Sequence, residues 1–265
     1  MLAERYFPTG SRANKALAAF FKNFDNFFSL KPLRWFALWT ALVAGNNITL
    51  HLDDRWFYWS WSSFSLYLLF LLILIPLIDH RLRSRFDFVS ELKSITDYFT
   101  CFAYATILIL VGSNPLMISL NTLKFSAPYI LFFLAGILTW SIHYNNDNHE
   151  QIFKKDMYSP LLIIIVLSFT ASLLGFVNDD PMVSTIAAVY LPFPLVALVF
   201  PAAFRHLQRS RNYVVFIPAM FLSMRFPWFL FFLIPLFLLS RHYYYFTTGK
   251  IYPSFKVDTP DHTQP

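Results

Sequence analysis

The chain returns again and again to apolar runs of membrane-crossing length, separated by short polar loops, and this alternation limits its fold more than any other feature. The run from Phe64 to Ile78 is mostly Leu, Ile and Phe, and a second from Pro160 to Val177 is as oily. Charged residues make up only 14% of the 265, against roughly 25% in ordinary globular domains. Mean hydropathy is +0.49. Such a chain cannot cover a water-facing surface with polar groups, so lipid is its expected solvent. The fold class that follows is all-α: a polytopic integral membrane helical bundle.

About seven spans are expected. They are Leu33–Leu50, Phe64–Ile78, Tyr98–Val111, Pro128–Ile142, Pro160–Val177, Met182–Phe204 and Tyr213–Leu239. The first is weakened by Asn46 and Asn47, and the tryptophans at 56, 59 and 61 after it read as an interfacial belt. The sixth holds Pro192, Pro194 and Pro201, which predicts a bent or broken helix. The last holds Pro218, Pro227 and Pro235 with Arg225 near its middle. It reads either as one tilted crossing with Arg225 facing the protein interior, or as two shorter segments forming a hairpin or re-entrant pair. The second reading, which brings Arg225 to interfacial water, is favoured. Residues 1–31 are expected to form a cytoplasmic amphipathic segment, residues 32–241 the transmembrane domain, and residues 242–265 a polar tail. In the first of these, Ala16, Leu17, Phe20, Phe21, Phe24, Phe27 and Phe28 recur at helical spacing among Arg12, Lys15 and Lys22. That pattern predicts a helix lying on the membrane surface, or one whose Phe face docks on a partner subunit.

Loop charges set the orientation. Lys and Arg gather in the N-terminal segment, at Arg81, Arg83, Arg85 and Lys93, at Lys154 and Lys155, and at Arg205, Arg209 and Arg211. The alternate loops carry only Arg55, only Lys124 and none. The positive-inside rule then makes the N-terminus cytoplasmic; in a prokaryote the membrane is the inner or plasma membrane. A broken last stretch also returns the C-terminus to that side. The net charge of +6 is accounted for by these loops and by anionic headgroups, so nucleic acid is not an expected partner.

Two cytoplasmic clusters are rich enough in polar groups for chemistry. The stretch from His143 to Asp156 holds three acids, two histidines and three asparagines. Asp147 and Glu150, three residues apart, share a face if helical. With Asp156 they are candidate ligands for Mg²⁺, which binds through one or two carboxylates plus substrate phosphates. Asp147, Glu150 and His149 are the candidate catalytic acid–base groups. Arg81, Arg83 and Arg85, with Arg225, are the candidate substrate-binding cations, since Arg grips phosphate bidentately. The competing reading is plainer: a solvated loop whose Asn and Asp cap helices, and arginines placed only by topology. With 6 glycines there is no phosphate-cradling loop, HExxH is absent, and the single cysteine, Cys101, makes neither a disulfide nor a CxxC site.

Asn146-Asp147-Asn-His-Glu150 resembles the start of the NDxxDxxxD-like motif of membrane-embedded prenyltransferases related to ubiquinone biosynthesis. It departs from that motif by carrying Glu for the second acid and Lys154 where the third belongs, and it follows the fourth span instead of the second. The resemblance covers five residues and does not establish membership.

The reading that follows is a membrane-embedded enzyme acting on a lipid-like or isoprenoid phosphate substrate at the cytoplasmic face. Its alternatives are a non-catalytic subunit or assembly factor holding partner membrane subunits, and a transporter built on the proline-rich sixth and seventh stretches. The transporter is disfavoured because no buried acid or base besides Arg225 is apparent.

Overall fold

The computed structural model describes residues 2–28, 32–53, 56, 58–61, 64–82, 95–142, 153–200 and 204–249. Among them there are helices and turns and no strand. A short α1 (Leu2–Tyr6) and α2 (Arg12–Phe28) precede α3 (Pro32–Asp53), α4 (Leu66–Leu82), α5 (Ile95–Gly112), α6 (Leu120–Ser141) and α7 (Phe153–Val177). Then come α8 (Pro181–Tyr190), α9 (Pro192–Val199), α10 (Phe204–Arg225) and α11 (Leu230–Thr248). Three stretches are long and apolar enough to cross a membrane: Leu120–Ser141, Met157–Val177 and Pro181–Val199. Leu66–Ile78, Tyr98–Gly112 and Pro227–Leu239 are apolar but shorter.

α3 is the hub. It packs against α4, α5, α6, α10 and α11, and Leu38, Leu42, Val43 and Ile48 are sealed from solvent. Its low apolarity is explained by that position, because Arg34 and Asn47 face protein and not lipid. Trp39 Nε1 donates to the Leu72 carbonyl of α4 at 2.8 Å, and Thr49 Oγ1 donates to the Ser113 carbonyl beyond α5 at 2.7 Å. Against α5 the approach is backbone to backbone. A Cβ on Gly45 would overlap the Ile109 carbonyl oxygen and stand 2.7 Å from Ser113 N; one on Gly112 would overlap the Leu42 carbonyl oxygen. Small residues that let helices touch directly are the usual contact where lipid removes the hydrophobic drive for association.

Both proline-rich stretches are broken. α8 gives way to α9 at Leu191, because Pro192 and Pro194 cannot donate to the carbonyls of Ala188 and Tyr190. α10 ends at Arg225, and a 3-10 turn over Pro227–Phe229 launches α11. Phe226, Trp228 and Phe229 of that turn are buried, so the break is packed in protein. Of the favoured two-segment reading of the last stretch, the break into two helices is what the chain adopts. The expected exit of Arg225 to interfacial water is not: its relative exposure is 0%. The hinge turns the helix without uncovering the charge at its end.

α11 runs to Thr248, past the expected start of the tail at 242, because its last turns have something to pack on. Phe21 of α2 stacks on Phe246 (5.6 Å, 12°) and meets Tyr243 edge-on, while Tyr245 O–H donates to the Phe7 carbonyl at 2.7 Å. Asn14 Nδ2 donates to the same carbonyl. Part of the Phe stripe of α2 is thus spent within the chain, with Phe20 left exposed and Arg12, Lys15 and Lys22 facing outward. Replacing Phe21 with Ala removes the centre of this small cluster. The expected result is release of α1–α2, read as new protease cleavage between residues 7 and 22 at unchanged global melting temperature.

Candidate functional site

The residues singled out from sequence fall mostly outside what the structure describes. Asp147, His149 and Glu150, together with Arg83 and Arg85, lie outside the described residues. Asp156 sits in the first turns of α7 and Arg81 at the end of α4, with their side chains likewise outside. Among the described residues no group of three or more His, Cys, Asp or Glu gathers. Arg225 is fully described, and it leads to a site that the sequence did not announce.

Asn178-Asp179-Asp180-Pro181 makes the tight turn between α7 and α8, with Asp179 at φ 58. Asp180 caps α8: its Oδ1 accepts from the amides of Met182 (3.0 Å) and Val183 (3.4 Å), and Pro181 supplies the first helical residue. Its other oxygen is turned inward, where Oδ2 accepts the Tyr129 hydroxyl of α6 at 2.9 Å. Asn47 Nδ2 of α3 in turn donates to the Tyr129 oxygen at 2.6 Å. Arg225 is near enough for its charge, like that of Asp180, to bear on that hydroxyl, so four helices bring Asn47, Tyr129, Asp180 and Arg225 into one neighbourhood. Asn47, Asp180 and Arg225 each have 0% exposure. A loop closes over them: Ser60 N–H donates to the Arg225 carbonyl at 2.8 Å, with Trp59 before it at φ 61. That is an unusual backbone for a bulky residue and marks a turn held by its surroundings. The expectation of no second buried charge is therefore corrected by Asp180. Its place in a turn signal hid that it points inward while its backbone turns the chain.

A second polar layer lies ten residues along α6, about 15 Å away at helical rise. Thr139 Oγ1 meets the Tyr190 hydroxyl (2.9 Å), which meets Ser210 Oγ (2.9 Å), joining α6, α8 and α10. Beside it Arg211 of α10 donates from Nε to the Thr139 carbonyl (3.4 Å) and from Nη2 to the Ile142 carbonyl. These are the last carbonyls of α6, which lack helical donors, so Arg211 is their C-terminal cap. Its guanidinium also lies over the Trp140 ring at 5.5 Å. Ile142 leads directly into the acid-rich stretch, whose far end re-enters the fold as α7. Arg211 therefore stands where α6 hands over to the 143–152 segment, although the sequence offered it only as a topology marker.

An apolar cleft opens beside this layer between α3, α6 and α10, lined among others by Ala37, Phe133, Gly136, Trp140, Val214 and Pro218. Compared with protein-family models, with curated proteins and with solved structures, the chain matches none.

Proposed function

We propose that the chain is a multi-pass membrane protein acting as an enzyme on a lipid-like, phosphate-bearing substrate at the face where α6 hands over to residues 143–152. One observation carries this reading: Arg211 is bonded to Ile142, so the basic start of α10 stands against the root of the acid-bearing segment. Cations that neutralise a phosphate, carboxylates that hold Mg²⁺ or move a proton, and an oily cleft for a chain then share one end of the bundle. Asp147, Glu150 and His149 are the acid–base groups in this reading, Asp147, Glu150 and Asp156 the metal ligands, and Arg81, Arg83 and Arg85 further headgroup cations. Counting α8–α9 as one crossing and α10 and α11 as two gives eight crossings with both termini cytoplasmic. The docking of α2 on α11 and the loop charges support that count.

The test is turnover of radiolabelled polyprenyl diphosphate or phosphatidic acid by purified, reconstituted protein with Mg²⁺. Asp147→Asn and Glu150→Gln are each expected to lower turnover by about a hundred-fold or more while the protein still accumulates in membranes. Full activity in both variants would remove the enzyme. A transporter is the second reading, favoured by the buried Asp180 and Arg225, since charges inside a bundle mark ion or solute paths in such proteins. Solute uptake into liposomes that is abolished by Arg225→Ala, in protein that remains folded, would favour it.

A further inference from the structure

The cleft between α3, α6 and α10 has a shape and chemistry of its own. Its volume is about 40 Å³ for the centres of water-sized spheres. Its one hydroxyl, Thr40 Oγ1, is already spent on the Phe36 carbonyl at 2.6 Å. Away from Trp140 a polar solute would find nothing to bond there, so the body of the cleft suits hydrocarbon. Two residues make the gap. Gly136 has no side chain where a Cβ would come within 3.2 Å of Val214 Cγ2. Pro218 cannot donate to the Val214 carbonyl one turn back, and both residues line the space. At one end stands Trp140, which lines the cleft and carries Arg211 on its ring. The Trp140 indole N–H is buried and has no acceptor among the described residues. A tryptophan with an arginine above an oily slot is the arrangement found where a lipid tail meets its headgroup.

We propose that this cleft binds the hydrocarbon tail of a single-chain, phosphate-bearing lipid. The chain lies between α3, α6 and α10, and the phosphate meets Arg211 and the Trp140 N–H. The small volume favours one chain over the two of an ordinary bilayer phospholipid. The proposal rests on the reading above for the role of the headgroup, but the tail site is testable without turnover.

The probe is lysophosphatidic acid brominated on its acyl chain, titrated into full-length protein in zwitterionic nanodiscs. Bromine quenches tryptophan only at contact, and the difference between wild type and Trp140→Phe isolates the Trp140 signal. The expected result is saturable quenching of that signal. Affinity should fall about ten-fold in Ala37→Phe and again in Ile137→Phe, each of which fills the slot, and about ten-fold for the brominated monoacylglycerol that lacks the phosphate. Ile137→Phe covers the case in which Ala37→Phe does not fold. Linear, unsaturable quenching that is equal in the filled variants would mean ordinary lipid contact and overturn the site. Equal affinity for dibrominated two-chain phosphatidic acid would overturn the single-chain assignment, and equal affinity for the monoacylglycerol the phosphate. Saturable quenching alongside full turnover in Asp147→Asn and Glu150→Gln would uphold the tail site and remove the enzyme; lost turnover without saturable quenching would do the reverse.

Discussion

A methyl group added at Gly45 or Gly112 is expected to cost about 3 kcal/mol or more and to push α3 away from α5. The magnitude follows from what the methyl meets. At both positions the obstacle is the partner helix's backbone carbonyl, which has no rotamer to escape into. Moving it means moving a helix, and α3 touches five others. Gly136→Ala is the control, since its Cβ would meet only the flexible end of Val214. There the gain in helix propensity, of up to about 1 kcal/mol, offsets much of the crowding. Thermal unfolding in a fixed detergent distinguishes the cases: Gly45→Ala and Gly112→Ala fall well below wild type, and Gly136→Ala stays near it. Equal melting of all three would mean that α3 and α5 are not closely packed.

Asp180→Ala is expected to be similarly damaging, at about 3–5 kcal/mol. The hydrogen bonds alone do not reach that figure, because such bonds inside membrane proteins average about 0.6 kcal/mol each. The substitution uncaps α8, leaves the Tyr129 hydroxyl without its acceptor and removes one charge from a buried cluster that also holds the Arg225 guanidinium. The last of these carries most of the cost, since removing one charge from a buried cluster unbalances it where no water can compensate. Tyr129→Phe, which leaves both charges in place, should therefore cost only about 1 kcal/mol. Asp180→Asn should fall between the two, because the amide oxygen still caps the helix. The check is the order of the three melting temperatures. If Tyr129→Phe proves as harmful as Asp180→Ala, the hydrogen-bond chain and not the charge holds the cluster.

Much of the fold was legible because lipid leaves a strong imprint on sequence. Apolar runs located α4 to α7 to within a few residues at one or both ends, and the prolines located both broken stretches. What the sequence obscured was which face of each helix meets protein. α3 reads as a poor span because Asn46, Asn47 and Arg34 dilute it, whereas Arg34 and Asn47 face the interior. Tyr129 is one of 14 tyrosines in a chain where the ordinary tyrosine touches lipid, and nothing in its local pattern separates it from the rest. Asp180 was visible only as a turn residue. A polar side chain inside an apolar run, as at Asn47, was the one signal that could have led to the cluster, since lipid-facing asparagine is costly. The acid-rich stretch was conspicuous for the opposite reason: polar composition stands out in an oily chain whether or not it does chemistry.

The clasp between α1–α2 and α11 carries a consequence for biosynthesis. Tyr245 and Phe7 are joined across 238 positions. α1 and α2 are therefore made before α3 to α10, and α11 does not yet exist while those helices are synthesised. A product cut short before Phe246 has no means of making the clasp. The clasp thus reports whether α11 has been made, because Phe21 stays uncovered until Tyr245 and Phe246 exist.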